Sequence, residues 1–176
     1  PNAERVVALK QPGGESNTIV DLAGDNVVAG ATGDESCVAI STDSGNAFND
    51  IGLIDTDLSV IDDVAVSADG SKVYMATHDT TEGTGDYDTS IWLKDGTWSR
   101  VYSNVNVADA NSDYLVRFAE DDDTAVYISS TGTTNMWVSK DSGEAKWKSI
   151  PSYKLSDIQD FVVASADVVY AIEAGS

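Results

Sequence analysis

The chain is poor in the residues that most often brace or anchor a small protein. It has 1 cysteine, Cys37, so no disulfide can form within it. It also lacks an apolar run close to the roughly 18 residues that a membrane-spanning helix needs. With 10 Lys and Arg against 30 Asp and Glu, its formal net charge is −20, which argues against binding to nucleic-acid phosphates or to anionic lipid. The opening residues, Pro1 to Arg5, do not form a signal peptide.

What the chain does contain favours β-structure. Its 176 residues, 41 % of them hydrophobic, suffice for a packed domain or for part of a repeat array. Asp outnumbers Glu by 23 to 7, and Asp and the 14 glycines favour tight turns, whereas Glu favours helices. No segment carries a sustained helical period bounded by caps. The composition therefore predicts many short strands and little helix.

One segment of the sequence recurs. An apolar stretch, a Ser-Ala-Asp turn and a Val-Tyr pair follow one another at Ser67–Tyr74 and again at Ser165–Tyr170. A looser copy leads through the acidic turn Glu120–Asp123 into Val126-Tyr127. Each copy is typical of two strands joined by a tight turn. The recurrence predicts a repeat protein.

A second recurring element is a turn with the pattern Ser-x-Asp-x-Gly followed by an aromatic residue. Its members, the middle one shortened, are Ser41, Asp43, Gly45 and Phe48; Asp95, Gly96 and Trp98; and Ser139, Asp141, Gly143 and Trp147. In each turn we expect the Asp carboxylate to accept backbone N–H groups, the Gly to adopt a left-handed conformation, and the aromatic ring to pack against a neighbouring unit. The aspartates lie 52 and 46 residues apart (43 to 95 and 95 to 141), a period typical of propeller blades.

The repeats predict an all-β chain, a β-propeller of four-stranded antiparallel blades that is partial. The predicted blades cover residues 17–54, 61–102 and 113–150, with partial blade strands at 5–10 and 160–172. Two alternatives remain open at this point. The chain could close as a four-bladed ring, or two copies could complete one ring between them.

The Ser-x-Asp-x-Gly turns resemble the Asp-box, or bacterial neuraminidase repeat, found in sialidases, xyloglucanases and sortilin-type receptors. The resemblance implies a propeller in which these turns lie on the face opposite the usual ligand pocket. The loop between the second and third strands of a blade would then lie on the functional face. The resemblance implies no particular activity.

The second predicted blade has the longest such loop. Tyr74 and Asp95 are 21 residues apart, whereas the corresponding Tyr127 and Asp141 are 14 apart, an insertion of about seven. The candidate ligand residues of this loop are His78, Asp79, Glu82, Asp86, Tyr87 and Asp88. We predict either a loop that binds a ligand or partner, or a solvated insertion without a function.

Metal binding has weak support in the sequence. Asp86 and Asp88, or Asp121 and Asp123 in the acidic turn, could offer oxygen ligands to Ca²⁺, but no EF-hand pattern accompanies them. His78 has no Cys or His at ligand spacing, so no transition-metal site is predicted. No other cofactor is expected.

The predicted function is a non-catalytic extracellular or cell-surface propeller module with a structural, adhesive or binding role, for example in a surface layer. Its partners would be a protein or a glycan at the cell surface, further blades of a longer chain, or a second copy. The alternative is a fragment of an Asp-box glycoside hydrolase whose catalytic residues lie outside this segment. The chain has only three arginines, none in the Arg-Ile-Pro setting that sialidases use. A receptor-like peptide-binding propeller is a third class, with no residue to favour it.

Overall fold

A computed structural model describes residues 16–32, 37–48, 50–53, 60–80, 86–108, 113–151 and 155–174. These residues form β-strands joined by turns and loops. None of them belongs to a helix with the length and apolar content of a membrane span.

Consecutive strands pair as antiparallel hairpins in four sheets. The first sheet consists of β1 (Ser16–Ala23), β2 (Asn26–Thr32), β3 (Cys37–Ser41) and β4 (Asp50–Leu53). The second consists of β5 (Val60–Val66), β6 (Lys72–Thr80), β7 (Asp86–Asp95) and β8 (Thr97–Ala108). The third consists of β9 (Tyr114–Ala119), β10 (Asp122–Ser130), β11 (Asn135–Ser139) and β12 (Lys148–Pro151). The fourth consists of β13 (Ile158–Ser165) and β14 (Val168–Glu173).

The sheets stack face to face, and we number them as blades 1 to 4; blades 2 and 3 are each packed between two neighbouring blades. β5 packs on β1 and β2, β9 packs on β5 and β6, and β13 packs on β9 and β10. Side chains therefore alternate between two apolar junctions: in β5, Val64 and Val66 face blade 1, while Ala65 faces blade 3. Sheets stacked face to face in this way, each a meander, form a β-propeller arc.

The turns between first and second strands also connect the blades. Gly70, in the turn after β5, has φ +74°, and a Cβ there would lie 2.6 Å from Oδ1 of Asn26. Asn26 belongs to the corresponding turn of blade 1, and its side-chain amide donates to the carbonyl of Ala68 at 2.9 Å. Glycine at position 70 thus allows two neighbouring turns to approach closely.

The prediction of an all-β partial propeller with four-stranded antiparallel blades is confirmed. The predicted strand at 5–10 lies outside the described residues. Among the described residues, Leu22 of blade 1 and Tyr170 and Ile172 of blade 4 are largely exposed and do not pack on each other. The alternative of a four-bladed ring, which uses the strand at 5–10, stays a prediction. The described residues form an open arc of three four-stranded sheets and one two-stranded sheet.

Candidate functional site

The turn between β3 and β4 is organised by a serine hydroxyl. Ser41 Oγ donates to Oδ1 of Asp43 at 2.7 Å and accepts the N–H of Gly45 at 3.0 Å. Asp43 Oδ1 in turn accepts the N–H of Ala47 at 2.9 Å. Ser44 and Gly45 both have positive φ, 59° and 82°. The hydrogen bond from Ser41 has the largest effect in lowering the pKa of the Asp43 carboxyl group, and the hydrogen bond from the Ala47 N–H has the next largest.

The turn between β11 and β12 repeats this geometry. Ser139 Oγ donates to Oδ1 of Asp141 at 2.5 Å and accepts the N–H of Gly143 at 2.7 Å. Ser142 and Gly143 have φ values of 59° and 81°. Trp147 then donates its indole N–H to the carbonyl of Val101 in blade 2 at 2.9 Å. The turn thereby fixes blade 3 against blade 2.

The middle turn, between β7 and β8, is of a different kind. Asp95 pairs directly with Thr97 across Gly96, whose φ is +71°. This turn is therefore a tight hairpin, without the central serine hydroxyl of the other two turns. Trp98 packs, half-buried, on the junction between blades 1 and 2. The expectation that an aspartate alone organises each turn missed the role of Ser41 and Ser139, although both serines are part of the motif.

The predicted long loop of blade 2 is shorter in the structure. β6 continues through His78 and Asp79 to Thr80, and β7 begins at Asp86, with Asp79 opposite Asp88 and Thr80 opposite Tyr87. Extended strand pairing therefore occupies part of the segment that the sequence predicted as loop. Glu82 lies outside the described residues.

This extension places His78 in a cluster at the junction of blades 2 and 3. His78 Nδ1 lies 2.6 Å from Oδ1 of Asp62 and 3.6 Å from Oδ1 of Asp113. The other oxygen of Asp62 accepts the N–H of Tyr114 at 3.3 Å. Tyr87 packs edge-on against the imidazole, with ring centroids 5.2 Å apart. The cluster joins the starts of β5 and β9 with the end of β6, at the opposite end of the blades from the Ser-x-Asp-x-Gly turns.

Asp62 is the most perturbed carboxyl group of the cluster. Burial raises its pKa to about 6, although its hydrogen bond and charge interaction with His78 oppose the shift. Its side chain is only 4 % exposed, whereas Asp113 is largely exposed. Asp62 is thus a buried carboxyl group whose charged form is favoured by one histidine, His78.

The same three side chains offer the donor set most suited to a metal ion in the described part of the chain. One ligand atom each from Asp62, His78 and Asp113 lie within 4.8 Å of one another. The acids of the predicted calcium sites are engaged differently. Asp121 accepts the N–H of Ala166 at 2.7 Å, and Asp123 lies 3.5 Å from Nζ of Lys72. The structure places both in contacts between blades.

A second group of charged residues connects the first strands of blades 2, 3 and 4. Arg117 pairs with Asp63 and, at 3.2 Å, with Asp160, and its guanidinium lies over the ring of Phe161. Asp63 also accepts the N–H of Val116 at 2.8 Å. Burial raises the pKa of Asp63, and the charge of Arg117 opposes that shift. These contacts neutralise a buried carboxylate, so loss of Arg117 would leave an uncompensated charge between the blades.

A cavity of about 710 Å³ lies along the first strands, beside this charged group. All four first strands contribute to its wall, among them Asp21, Leu22, Arg117, Phe118, Asp160 and Val162. Asp21 repeats the role of Asp63, because it accepts the N–H of Val66 on the next blade at 3.0 Å. The acids on this wall thus link blade to blade.

The fold defined by these sheets is found in known proteins. The GH74 xyloglucanase from Xanthomonas campestris is 18 % identical with a TM-score of 0.55, over 80 % of this chain and 19 % of that chain. Hydrazine synthase from Kuenenia stuttgartiensis is 10 % identical with a TM-score of 0.60, over 88 % of this chain and 58 % of that chain. Both are β-propeller proteins. No protein-family model and no curated protein sequence matches the chain.

The chain therefore belongs to the β-propeller class by fold. It spans less than two thirds of either solved structure, and identities this low establish the fold alone.

Proposed function

We propose that the chain is a non-catalytic, Asp-box-type propeller module of an extracellular or cell-surface protein. The observation that carries the proposal is the pairing of charges between blades: Arg117 pairs with the buried Asp63 and with the more exposed Asp160, across three blades. Such pairing serves packing and leaves these carboxylates occupied. The matching hydrogen bonds of Ser41 and Ser139 support the Asp-box assignment.

The buried acid Asp62 has the raised pKa that a general acid needs, but its surroundings disfavour catalysis. Both carboxylate oxygens have partners, His78 Nδ1 on one and the Tyr114 N–H on the other. A glycosidase needs a proton donor that reaches the glycosidic oxygen and a second carboxylate about 5–10 Å away. The Asp62 side chain is 4 % exposed and hydrogen-bonded through both oxygens, so it does not reach a sugar unless the junction between the blades opens.

The charge of the chain fits a role outside the cell. A net charge of −20 keeps a protein soluble and resists nonspecific association. We propose that the partner is a protein or a glycan at the cell surface. It would bind at the end of the blades where His78 and Tyr87 lie. There an aromatic ring and a charged cluster lie next to each other.

Two measurements on the native polypeptide from its source test this proposal. An antibody raised against the 176-residue chain should label intact cells as strongly as permeabilised cells. The immunopurified polypeptide should release no sugar from xyloglucan oligosaccharides, with a commercial xyloglucanase as positive control. Labelling only after permeabilisation would contradict the surface location. Sugar release would favour the hydrolase alternative, with catalytic residues in other blades.

A further inference from the structure

The cluster of Asp62, His78 and Asp113 brings ligating side chains from two blades to one point. Asp62 and His78 belong to strands β5 and β6 of blade 2, whereas Asp113 directly precedes β9 of blade 3. Two carboxylates and one imidazole are donors that divalent transition-metal ions accept in proteins. The junction between blades 2 and 3 therefore contains the donor set of a metal site.

A bulge in β5 sets the direction of the Asp62 side chain. Ile61 pairs with Thr77 and Asp63 pairs with Ala76, so Asp62 is an extra residue without a register partner in β6. A bulge of this kind re-aims a side chain. The Asp62 side chain is 4 % exposed, so the bulge directs a carboxylate into the junction and away from water. Burial of a carboxylate is costly unless a positive charge compensates it.

Each of the three side chains is held in place by contacts other than those within the cluster. His78 lies in β6, which pairs with a strand on both sides. The carbonyl of Asp113 accepts the N–H of Thr131 at 2.9 Å. The second carboxylate oxygen of Asp62 accepts the N–H of Tyr114 at 3.3 Å. Contacts of this kind orient the ligands of metal sites, and rigid strands hold such sites more precisely than loops do.

The distances between the ligand atoms suit a small ion. Nδ1 of His78 lies 3.6 Å from Oδ1 of Asp113 and 2.6 Å from Oδ1 of Asp62. Ligand atoms around a tetrahedral Zn²⁺ lie about 3.3 Å apart, given bonds of roughly 2.0–2.1 Å. The longer distance is close to this spacing. The two atoms at 2.6 Å would separate by about 0.7 Å when the ion replaces the proton between them.

Charge and donor chemistry select the kind of ion. With a neutral imidazole, the two carboxylates leave two negative charges in the cluster, which one divalent cation compensates. The imidazole nitrogen disfavours Ca²⁺ and Mg²⁺, because these ions prefer sets of oxygen ligands, whereas Zn²⁺ accepts nitrogen and oxygen together. The Asp113 side chain is 63 % exposed, so an ion can enter from solvent on that side.

We infer that Asp62, His78 and Asp113 bind one divalent transition-metal ion of the Zn²⁺ type and that this ion joins blade 2 to blade 3. The inference goes beyond the proposed function, because metal binding here depends neither on a surface location nor on the absence of catalysis. The sequence-based prediction of no transition-metal site considers only Cys and His near His78. In the fold, two aspartates reach this histidine from other strands.

The first test uses the fact that His78 is the only histidine of the chain. The ¹⁵N-labelled chain, without a histidine tag, is treated with EDTA, dialysed and titrated with ZnCl₂ while the imidazole nitrogens are followed by NMR. The Nδ1 resonance should shift and saturate at one Zn²⁺ per chain, and CaCl₂ and MgCl₂ should leave it unchanged. An unchanged imidazole, coordination through Nε2, or an equal response to Ca²⁺ would overturn the inference.

The second test separates a ligand from general negative charge. Asp113→Asn removes one ligand at an exposed position, so the fold is retained, and it should weaken Zn²⁺ binding by at least about tenfold in isothermal titration calorimetry. The matched control is Glu144→Gln, which removes one charge from an exposed turn and should leave the dissociation constant nearly unchanged. Equal effects of the two substitutions would mean that Zn²⁺ responds only to the charge of the chain, and would overturn the inference.

The third test asks whether the ion joins the two blades. Free Zn²⁺ at one hundred times its dissociation constant should raise the thermal unfolding midpoint of the wild type by about 5–10 °C. In Asp113→Asn the same Zn²⁺ concentration should have much less effect, while Glu144→Gln should respond like the wild type. A wild-type midpoint that does not respond to Zn²⁺ would overturn the claim that the ion holds the junction together.

Discussion

The second strands of blades 2 and 4 contain the same Val-Tyr pair, yet the two tyrosines differ completely in environment. Tyr74 is fully buried and donates its hydroxyl to blade 3, whereas Tyr170 is 64 % exposed at the end of the arc. Both tyrosines pair with the first strand of their blade, but Tyr74 also has a strand on its other side and the following blade over it, whereas no described residue takes either place beside Tyr170. A propeller repeat thus encodes half of each junction, and stability depends on what supplies the other half.

The largest difference should appear when the two tyrosines are truncated. Tyr74→Ala leaves a cavity and a lost hydrogen bond, and should lower the free energy of unfolding by about 3–5 kcal/mol. Tyr170→Ala, at a side chain that is 64 % exposed, should change it by less than about 0.5 kcal/mol. Urea unfolding of both variants checks this. Equal losses would mean that the fourth blade is covered within one chain.

The ion pairs at the junctions come next in expected size. Arg117→Met leaves Asp63 buried without its partner, which for a fully buried pair costs about 3–5 kcal/mol. Because Arg117 is partly exposed, we expect about 2–3 kcal/mol here. Asp63→Asn in the Arg117→Met background should recover part of the loss, as measured by urea unfolding. The pairing would be unimportant if Arg117→Met alone had no effect.

The two kinds of turn offer a smaller contrast. Ser139→Ala removes the acceptor of the buried Gly143 N–H and should cost about 1–3 kcal/mol. Thr97→Ala in the tight hairpin after Gly96 should cost less than about 0.5 kcal/mol. Thermal unfolding of the two variants compares them directly. A larger loss of stability in Thr97→Ala than in Ser139→Ala would show that the serine hydroxyl is not what stabilises these turns.

The smallest effect we predict is on pH dependence. Burial raises the pKa of Asp62 from 3.8 to about 6, so the folded chain binds more protons than the unfolded chain between these values. The stability that protonated Asp62 contributes is present below about pH 4 and is lost as the pH rises through about 6. Asp62→Asn should flatten the profile in this window by up to about 1 kcal/mol per pH unit.

The matched control for this titration is Glu144→Gln, an exposed acid in the turn between β11 and β12. Its unfolding profile between pH 4 and 6 should follow that of the wild type. If both substitutions flattened the profile equally, the titration would not belong to Asp62.

The fold could be predicted from sequence because its signals are local. The Val-Tyr pairs and the Ser-x-Asp-x-Gly turns recur within single hairpins, and each hairpin forms from contiguous residues. The period between turns then indicates four strands in each blade.

The His78 cluster could not be predicted in this way. It depends on a register shift between Ile61 and Asp63, which directs Asp62 toward His78 and Asp63 toward Arg117. Asp113 joins from the next blade. The adjacent acids Asp62-Asp63 inside an apolar strand were the one available signal, because charged residues rarely lie in a buried strand without partners.

The most direct test of the account is the accessibility of its tyrosines to chemical nitration, read by peptide mass spectrometry. Tyr170 should react, while Tyr74 and Tyr127 should be protected by the blade that follows each of them. Protection of Tyr170 would contradict the open arc, and modification of Tyr74 in the folded chain would contradict the repeated junction.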